Sequence, residues 1–492
     1  MGSDVIEESD GQQSPSYAGA ACIRDECHTP FIAIAFNATA TTGGDQAVND
    51  MARNWLIGAL TALLLGASAF GVSAAPLVLI SIDGLRPDDL YAEGKDAMAL
   101  PNLQALVREG SHARRVRGVL PTLTYPSHAT LITGVSPARH GIGSNLTFDP
   151  EFKNQVGWYW YASDFKVGTL WQAAKLTGRT TANVHWPVSV GAPVDANLPQ
   201  IWRTGTADDR KLLAALATPG LLPMLEAELG AYPDGIDESV EGDERRVRFA
   251  ARLFEHRKPG FMTVYLAGLD HEEHRHGAGS TEARDALLRL DRAVGDLIGA
   301  LRRTDADTVV ALVSDHGFSP LKKDVNLFGA FIQAGMISVD AKAQVTDWKA
   351  AIWPSAGSAA VVLRNPQDAA VRQQVVELLQ SIAANPDNGI AEILDAQGIE
   401  KRGGARADYM VLFKTGYQIG RDPKAPMLAD STYRGMHGYS PDLPDMDAVF
   451  VVAGKGVPKR ALGKIDMRDI APTLAHVMGA TLPEAEGRSL LP

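Results

Sequence analysis

Four stretches of this chain are apolar at nearly every position: residues 77–82 (LVLISI), 261–266 (FMTVYL), 308–313 (TVVALV) and 448–453 (AVFVVA). They are rich in Val, Ile and Leu and do not alternate with polar residues, the pattern of strands covered on both faces. Between them apolar positions recur at helical spacing, over 102–110, 282–302 and 469–478. Strands alternating with helices predict an α/β fold, a mainly parallel central sheet flanked by helices. The span 326–433 breaks that rhythm. It holds a strand-like SAAVVLRN, a helix-like DAAVRQQVVELLQSI and a strand-like DYMVLF, which predict a smaller α+β insertion. Residues 158–240 carry Trp160, Trp171, Trp186 and Trp202 and are expected to shape the substrate side.

A fifth apolar run, 56–71, has a different meaning. Arg53 precedes it and Val72-Ser73-Ala74 follows with small residues at a cleavage-site spacing, so 51–75 has the form of a secretory signal peptide. The run is short for a membrane span of about 20 residues. Residues 1–50 are polar and patternless and sit before a segment that should open a chain, so they are expected to be missing from the mature protein. That protein would begin near Ala75, fold over 76–492, lack a stable membrane anchor and be secreted or periplasmic. The first 50 residues carry −7 of the formal charge of −11, and the mild −4 that remains is no footprint for a nucleic-acid polymer. Cys22 and Cys27 both lie in this leader. The mature chain therefore has no disulfide framework, no Cys-ligated metal and no Cys nucleophile, which suits an oxidising compartment.

Candidate chemistry sits where the apolar runs end. Residues 77–82 run into Asp83-Gly84, 261–266 into Asp270 and His274, and 308–313 into Asp315-His316-Gly317; His437-Gly438 comes shortly before the last run. Ligands of open α/β sheets sit beyond the carboxyl ends of the strands. Each signal alone has a plain explanation. An Asp-Gly after a strand is usually a turn, and HEEHRH, residues 271–276, can be a solvated charged face. Asp270 and His274, four apart, share one face of a helical turn. Three Asp and three His at converging strand ends favour a metal site over coincidence. Six such side chains are too many for one catalytic zinc and suffice for two. Paired metals clamp the attacking and leaving oxygens of an in-line phosphoryl displacement. Such a site needs a nucleophile. PTLTYPSHATLITG, residues 121–134, offers Thr122, Thr124 and Ser127 at the mouth of an apolar helix, each able to serve as cap or as nucleophile.

LISIDG, PTLTYPSHATLITG, ARHGIGSN, D-x-x-x-H, SDHG and MHGYSPDLPDM, with the tail IDMRDIAPTLAHVMGATLPEAEGRSL, occur in order over most of 76–492. In this the chain resembles the nucleotide pyrophosphatase/phosphodiesterases of the alkaline phosphatase superfamily. The resemblance implies an alkaline phosphatase-like catalytic domain with two zinc ions. Asp270, His274 and His437 would hold one; Asp83, Asp315, His316 and the Thr124 hydroxyl would hold the other. It implies Thr124 as the nucleophile and a phosphothreonine intermediate, Asn145 as a hydrogen-bond donor to a phosphoryl oxygen, and Tyr125 and Tyr265 as walls of a nucleotide pocket. Thr122, Ser127, His128 and His140 are then structural. The substrate would be a small phosphodiester or nucleotide. The chain departs from the family pattern at Glu273, where Gly is usual, and at Ala278 after Gly277. A monoesterase or phosphonate hydrolase on the same fold is the near alternative, and a non-catalytic extracytoplasmic binding protein the distant one. A sulfatase is excluded, because the chain lacks the C/S-x-P-x-R pattern around Ser127.

Overall fold

In the computed structural model, described for residues 75–94, 97–154 and 157–492, the unalternating apolar runs are strands with every side chain buried. The signal-peptide and leader expectations fall outside the described residues. The main sheet contains β1 (Leu77–Ile82), β2 (Ser111–His112), β3 (Thr181–Val184), β4 (Ala196–Leu198), β5 (Phe261–Leu266), β6 (Val309–Val313) and β7 (Phe450–Ala453), in the order β2-β7-β6-β1-β5-β3-β4. β6, β1, β5, β3 and β4 are mutually parallel. β7 runs antiparallel to both β6 and β2. Two apolar clusters cover the sheet, one on each face: side chains alternate along β1, with Val78, Ile80 and Ile82 in one cluster and Leu77 and Leu79 in the other. This double coverage is why the strands show no alternation.

The expected helices are α1 (Pro101–Glu109), α5 (Thr281–Thr304) and α7 (Ile470–Val477). Between them in sequence lie α2 (Thr124–Thr133), α3 (Val240–Arg257), α4 (Gly268–His276) and α6 (Ala369–Ala384). Ser280 caps α5 by accepting from the Ala283 N–H at 3.2 Å. In the α+β insertion, four antiparallel strands lie in the order Ala350–Ser355, Ser358–Leu363, Tyr409–Phe413, Ile390–Asp395, beside α6. A second small sheet is built on Ser319–Val325, which pairs with Gly416–Ile419, Leu428–Asp430 and Gly435–Met436. That sheet returns the chain to the carboxyl ends of β1, β5 and β6.

Candidate active site and metal centre

The register Ser81↔Tyr265 and Ser81↔Val313 aligns the ends of β1, β5 and β6, so the residues that follow them meet. The Asp83 N–H donates to the Leu266 carbonyl at 2.9 Å. The Gly84 N–H donates to Asp315 Oδ1 at 3.2 Å. Gly84 has φ +73°, and a Cβ there would stand 2.9 Å from Glu273 Oε2, so both conformation and space call for glycine. After β5 the chain enters α4, where Asp270 Oδ2 and His274 Nε2 are 3.4 Å apart. His437 follows the strand Gly435–Met436, with Nε2 3.5 Å from Asp270 Oδ1. After β6, His316 Nε2 lies 3.1 Å from Asp315 Oδ2 and 3.4 Å from Asp83 Oδ1.

Two groups of donors can each surround a cation: Asp270, His274 and His437; and Asp83, Asp270 and His316. Asp270 thus stands between them, and Asp315 touches the second through His316. The protonation pattern fits metal. Nδ1 of His274, His316 and His437 faces the carbonyl of Gly435, Gly317 and Thr122 at 3.1, 3.2 and 3.0 Å. A carbonyl only accepts, so each Nδ1 carries the proton and each Nε2 presents a lone pair to a carboxylate. Burial pushes His274 down to about 4, and pushes His316 and His437 well below the ordinary imidazole value. Asp83 Oδ1, Asp270 Oδ1 and Asp315 Oδ2 are buried without a hydrogen-bond partner. Burial, then the charge of Asp270, raises Asp315 to about 7. Burial, then Asp315 and Asp270, lifts Asp83 well above the carboxylate range, and burial, then Glu238, does the same for Asp270. Acceptors facing acceptors at these distances call for cations between them.

The three hydroxyls of the 121–134 stretch have separate surroundings. Thr122 Oγ1 donates to the Tyr439 carbonyl at 3.0 Å. Ser127 is fully buried. Thr124 opens α2, lines the cavity and places Oγ1 3.5 Å from His316 Nε2. His128, one turn on, faces the Thr124 carbonyl through Nδ1 at 2.7 Å and Ser81 Oγ through Nε2 at 2.9 Å. Asn145 accepts the Tyr125 N–H at 2.9 Å through Oδ1, which fixes the amide and leaves its NH₂ as a donor on the cavity wall.

The cavity holds about 490 Å³. The Tyr125 ring packs beside Trp158, with centroids 5.2 Å apart, and its hydroxyl donates to Gln200 at 2.7 Å. Tyr265 is placed differently from a face that stacks on a base. It is 4 % exposed, its ring lies between His128 and His185, and its hydroxyl donates to Asp83 Oδ2 at 2.5 Å. The sequence reading missed Trp158, Gln200 and Glu238, and from the insertion Arg421 and Tyr433. An aromatic-rich 158–202 was the one available signal; nothing in the sequence marks Arg421. Glu273 is buried under Gly84 with neither carboxyl oxygen hydrogen-bonded, 3.6 Å from Arg86 Nε, and burial raises it well above the carboxylate range.

Residues 77–440 match the family model "Type I phosphodiesterase / nucleotide pyrophosphatase". Human ectonucleotide pyrophosphatase/phosphodiesterase family member 1 is 28% identical over 262 residues, 50% of this chain and 24% of that protein. Venom phosphodiesterase 2 of Crotalus adamanteus is 28% identical over 266 residues, 52% of this chain and 28% of that protein. The match thus spans about a quarter of the length of these curated relatives. Among solved structures, human ectonucleotide pyrophosphatase/phosphodiesterase 5 superposes with a TM-score of 0.60 at 20% identity, covering 84% of this chain and 97% of that one. An inactive form of the murine counterpart was solved in complex with AMP, and superposes with the same TM-score at 18% identity. These likenesses give the fold, the alkaline phosphatase-like α/β architecture.

Proposed function

Because the chain belongs to the type I phosphodiesterase / nucleotide pyrophosphatase family, we propose that it is a zinc-dependent hydrolase of phosphodiester or pyrophosphate bonds in nucleotide-type substrates, acting through a phosphothreonine intermediate. The observation that carries this reading is the Thr124 hydroxyl, which faces the cavity beside two donor groups while Thr122 and Ser127 point elsewhere. One zinc ion fits Asp270, His274 and His437; a second fits Asp83, Asp315, His316 and Thr124. Bound zinc supplies Lewis acidity, favouring an alkoxide over a hydroxyl and screening phosphoryl charge. Thr124 Oγ1 attacks phosphorus, and the leaving oxygen departs with its bonding electron pair. Water then cleaves the threonine phosphate ester and restores the hydroxyl. The Asn145 NH₂ donates to a phosphoryl oxygen as charge builds there. His128 holds the Thr124 backbone, and Tyr265 holds Asp83. The ecto- and venom enzymes among the relatives support a secreted or periplasmic location, and residues 76–492 would be the catalytic domain.

The test is turnover of a nitrophenyl ester of a nucleoside 5′-monophosphate, releasing the nucleoside monophosphate. Thr124→Ala should lower kcat by roughly a thousandfold or more, as loss of a nucleophile does. Thr122→Ala, which loses one hydrogen bond, should cost about 1 kcal/mol of stability and little rate. Equal damage from both substitutions in folded protein would overturn the assignment.

A further inference from the structure

Arg421 is the only Lys or Arg among the described residues that line the cavity. It follows the strand Gly416–Ile419 of the insertion and is exposed to solvent. Among the described residues it takes part in no ion pair, although Asp422 is next in the chain and Asp324 lines the same wall. Those acids are engaged elsewhere: Gln418 Nε2 donates to Asp324 Oδ1 at 2.8 Å, and the Lys424 N–H donates to Asp422 Oδ1 at 2.9 Å. Glu238, the remaining acid of the wall outside the metal groups, faces His271 Nδ1 at 3.5 Å. An arginine without a partner in a ligand cavity is ready to take an anion, with planar donors that match phosphate.

The position of Arg421 says which part of a substrate it meets. Attacking and leaving oxygens stand on opposite sides of phosphorus in an in-line displacement. Thr124 approaches from the His316 side. The charge of Arg421 acts on His274, which belongs to the other donor group, and Tyr433 lines that wall with its ring 5.3 Å from the His274 ring. The leaving group therefore emerges toward Arg421, while Tyr125, Trp158 and Gln200 form the aromatic wall joined to the nucleophile turn.

Resting on the reading of Thr124 as nucleophile, we propose that Arg421 is a specificity-determining residue that binds a phosphorylated leaving group. The favoured substrates are then nucleoside triphosphates or dinucleoside polyphosphates cut next to the α-phosphorus. The α-phosphorus bonds to Thr124 Oγ1, whose proton passes to solvent. The bridging oxygen leaves with the electron pair, as pyrophosphate when the substrate is a triphosphate. Water then releases the nucleoside monophosphate. A nitrophenyl leaving group has no phosphate for Arg421 to hold.

The experiment compares kcat/KM for ATP and for the nitrophenyl ester of a nucleoside 5′-monophosphate, using the zinc-loaded chain, its Arg421→Ala variant and Arg421→Lys. Arg421→Ala should lower the ATP value about tenfold or more, the loss of a charge-assisted hydrogen bond, and change the nitrophenyl ester less than twofold. Arg421→Lys should restore part of the ATP value. Equal effects on both substrates, or none on ATP, overturn the proposal. So does a selective loss on nitrophenyl phosphate, which would assign Arg421 to the extra charge of a monoester. Failure of the wild type to cleave the nitrophenyl nucleotide would sink the underlying reading instead, and this proposal with it.

Discussion

Asp83, Asp270 and Asp315 each carry a buried oxygen that nothing in the protein satisfies, so the metal-free site is costly when ionised. The sign follows from Asp315, raised to about 7 by burial and by Asp270. The unfolded chain loses this proton near pH 4, while the folded metal-free protein keeps it to about 7. Chelator-treated protein should therefore lose stability as pH rises from about 4 to 7, and excess zinc should remove that slope. Thermal unfolding at pH 5, 6, 7 and 8, with and without zinc, checks this; a Tm of metal-free protein that rises over this range contradicts it. Tyr265 belongs to the same scale. Tyr265→Phe should weaken metal affinity through the lost bond to Asp83 and leave nucleotide preference alone, whereas Trp158→Ala should erode that preference by the roughly 1–3 kcal/mol of a stacked base. Metal analysis and paired kcat/KM values on nucleotide and simple aryl diesters separate the two. Residue types at strand ends made the acids and histidines legible from sequence. The orientation of Tyr265 was not, because it depends on His128 and His185 arriving from distant segments.

α4 carries two of the proposed ligands, and its first turn is held by a buried ion pair on α3. Asp243 Oδ2 accepts the Gly268 N–H at 2.6 Å, and Asp243 Oδ1 pairs with Arg246 at 2.8 Å. A Cβ on Gly268 would stand 2.9 Å from the Val240 nitrogen, so the two helix starts meet only through glycine. Burial lifts Asp243 to about 6, and Arg246 is the main force opposing that rise. Arg246→Met should thus cost about 3–5 kcal/mol by leaving Asp243 buried and unpaired. Urea unfolding of the zinc-loaded variant measures it; a loss below 1 kcal/mol would show the pair does not anchor α4. At this scale long elements were readable and short ones were not. β3 and β4, four and three residues long, carry too little pattern for a period to appear. They are pinned instead by the side-chain bond from Asn183 to Asn197, at 2.8 Å. Nor does an apolar run state its direction, so the antiparallel setting of β7 was invisible in an otherwise parallel sheet.

Over the whole molecule, the cavity draws on three regions: the strand ends, the aromatic stretch around Trp158, and the insertion with Arg421 and Tyr433. The sheet beneath it was assembled from equally distant pieces. β1 pairs with residues 261–266 on one side and 309–313 on the other, and β6 lacks one neighbour until residues 450–453 are present. A chain leaving the ribosome therefore carries its most apolar strand for hundreds of residues before any partner exists. Loop closure over such distances is slow, and an unpaired strand of this composition is prone to associate with other chains. The consequence is a protein whose refolding yield, after dilution from denaturant, falls with concentration more steeply than its thermodynamic stability alone would lead one to expect.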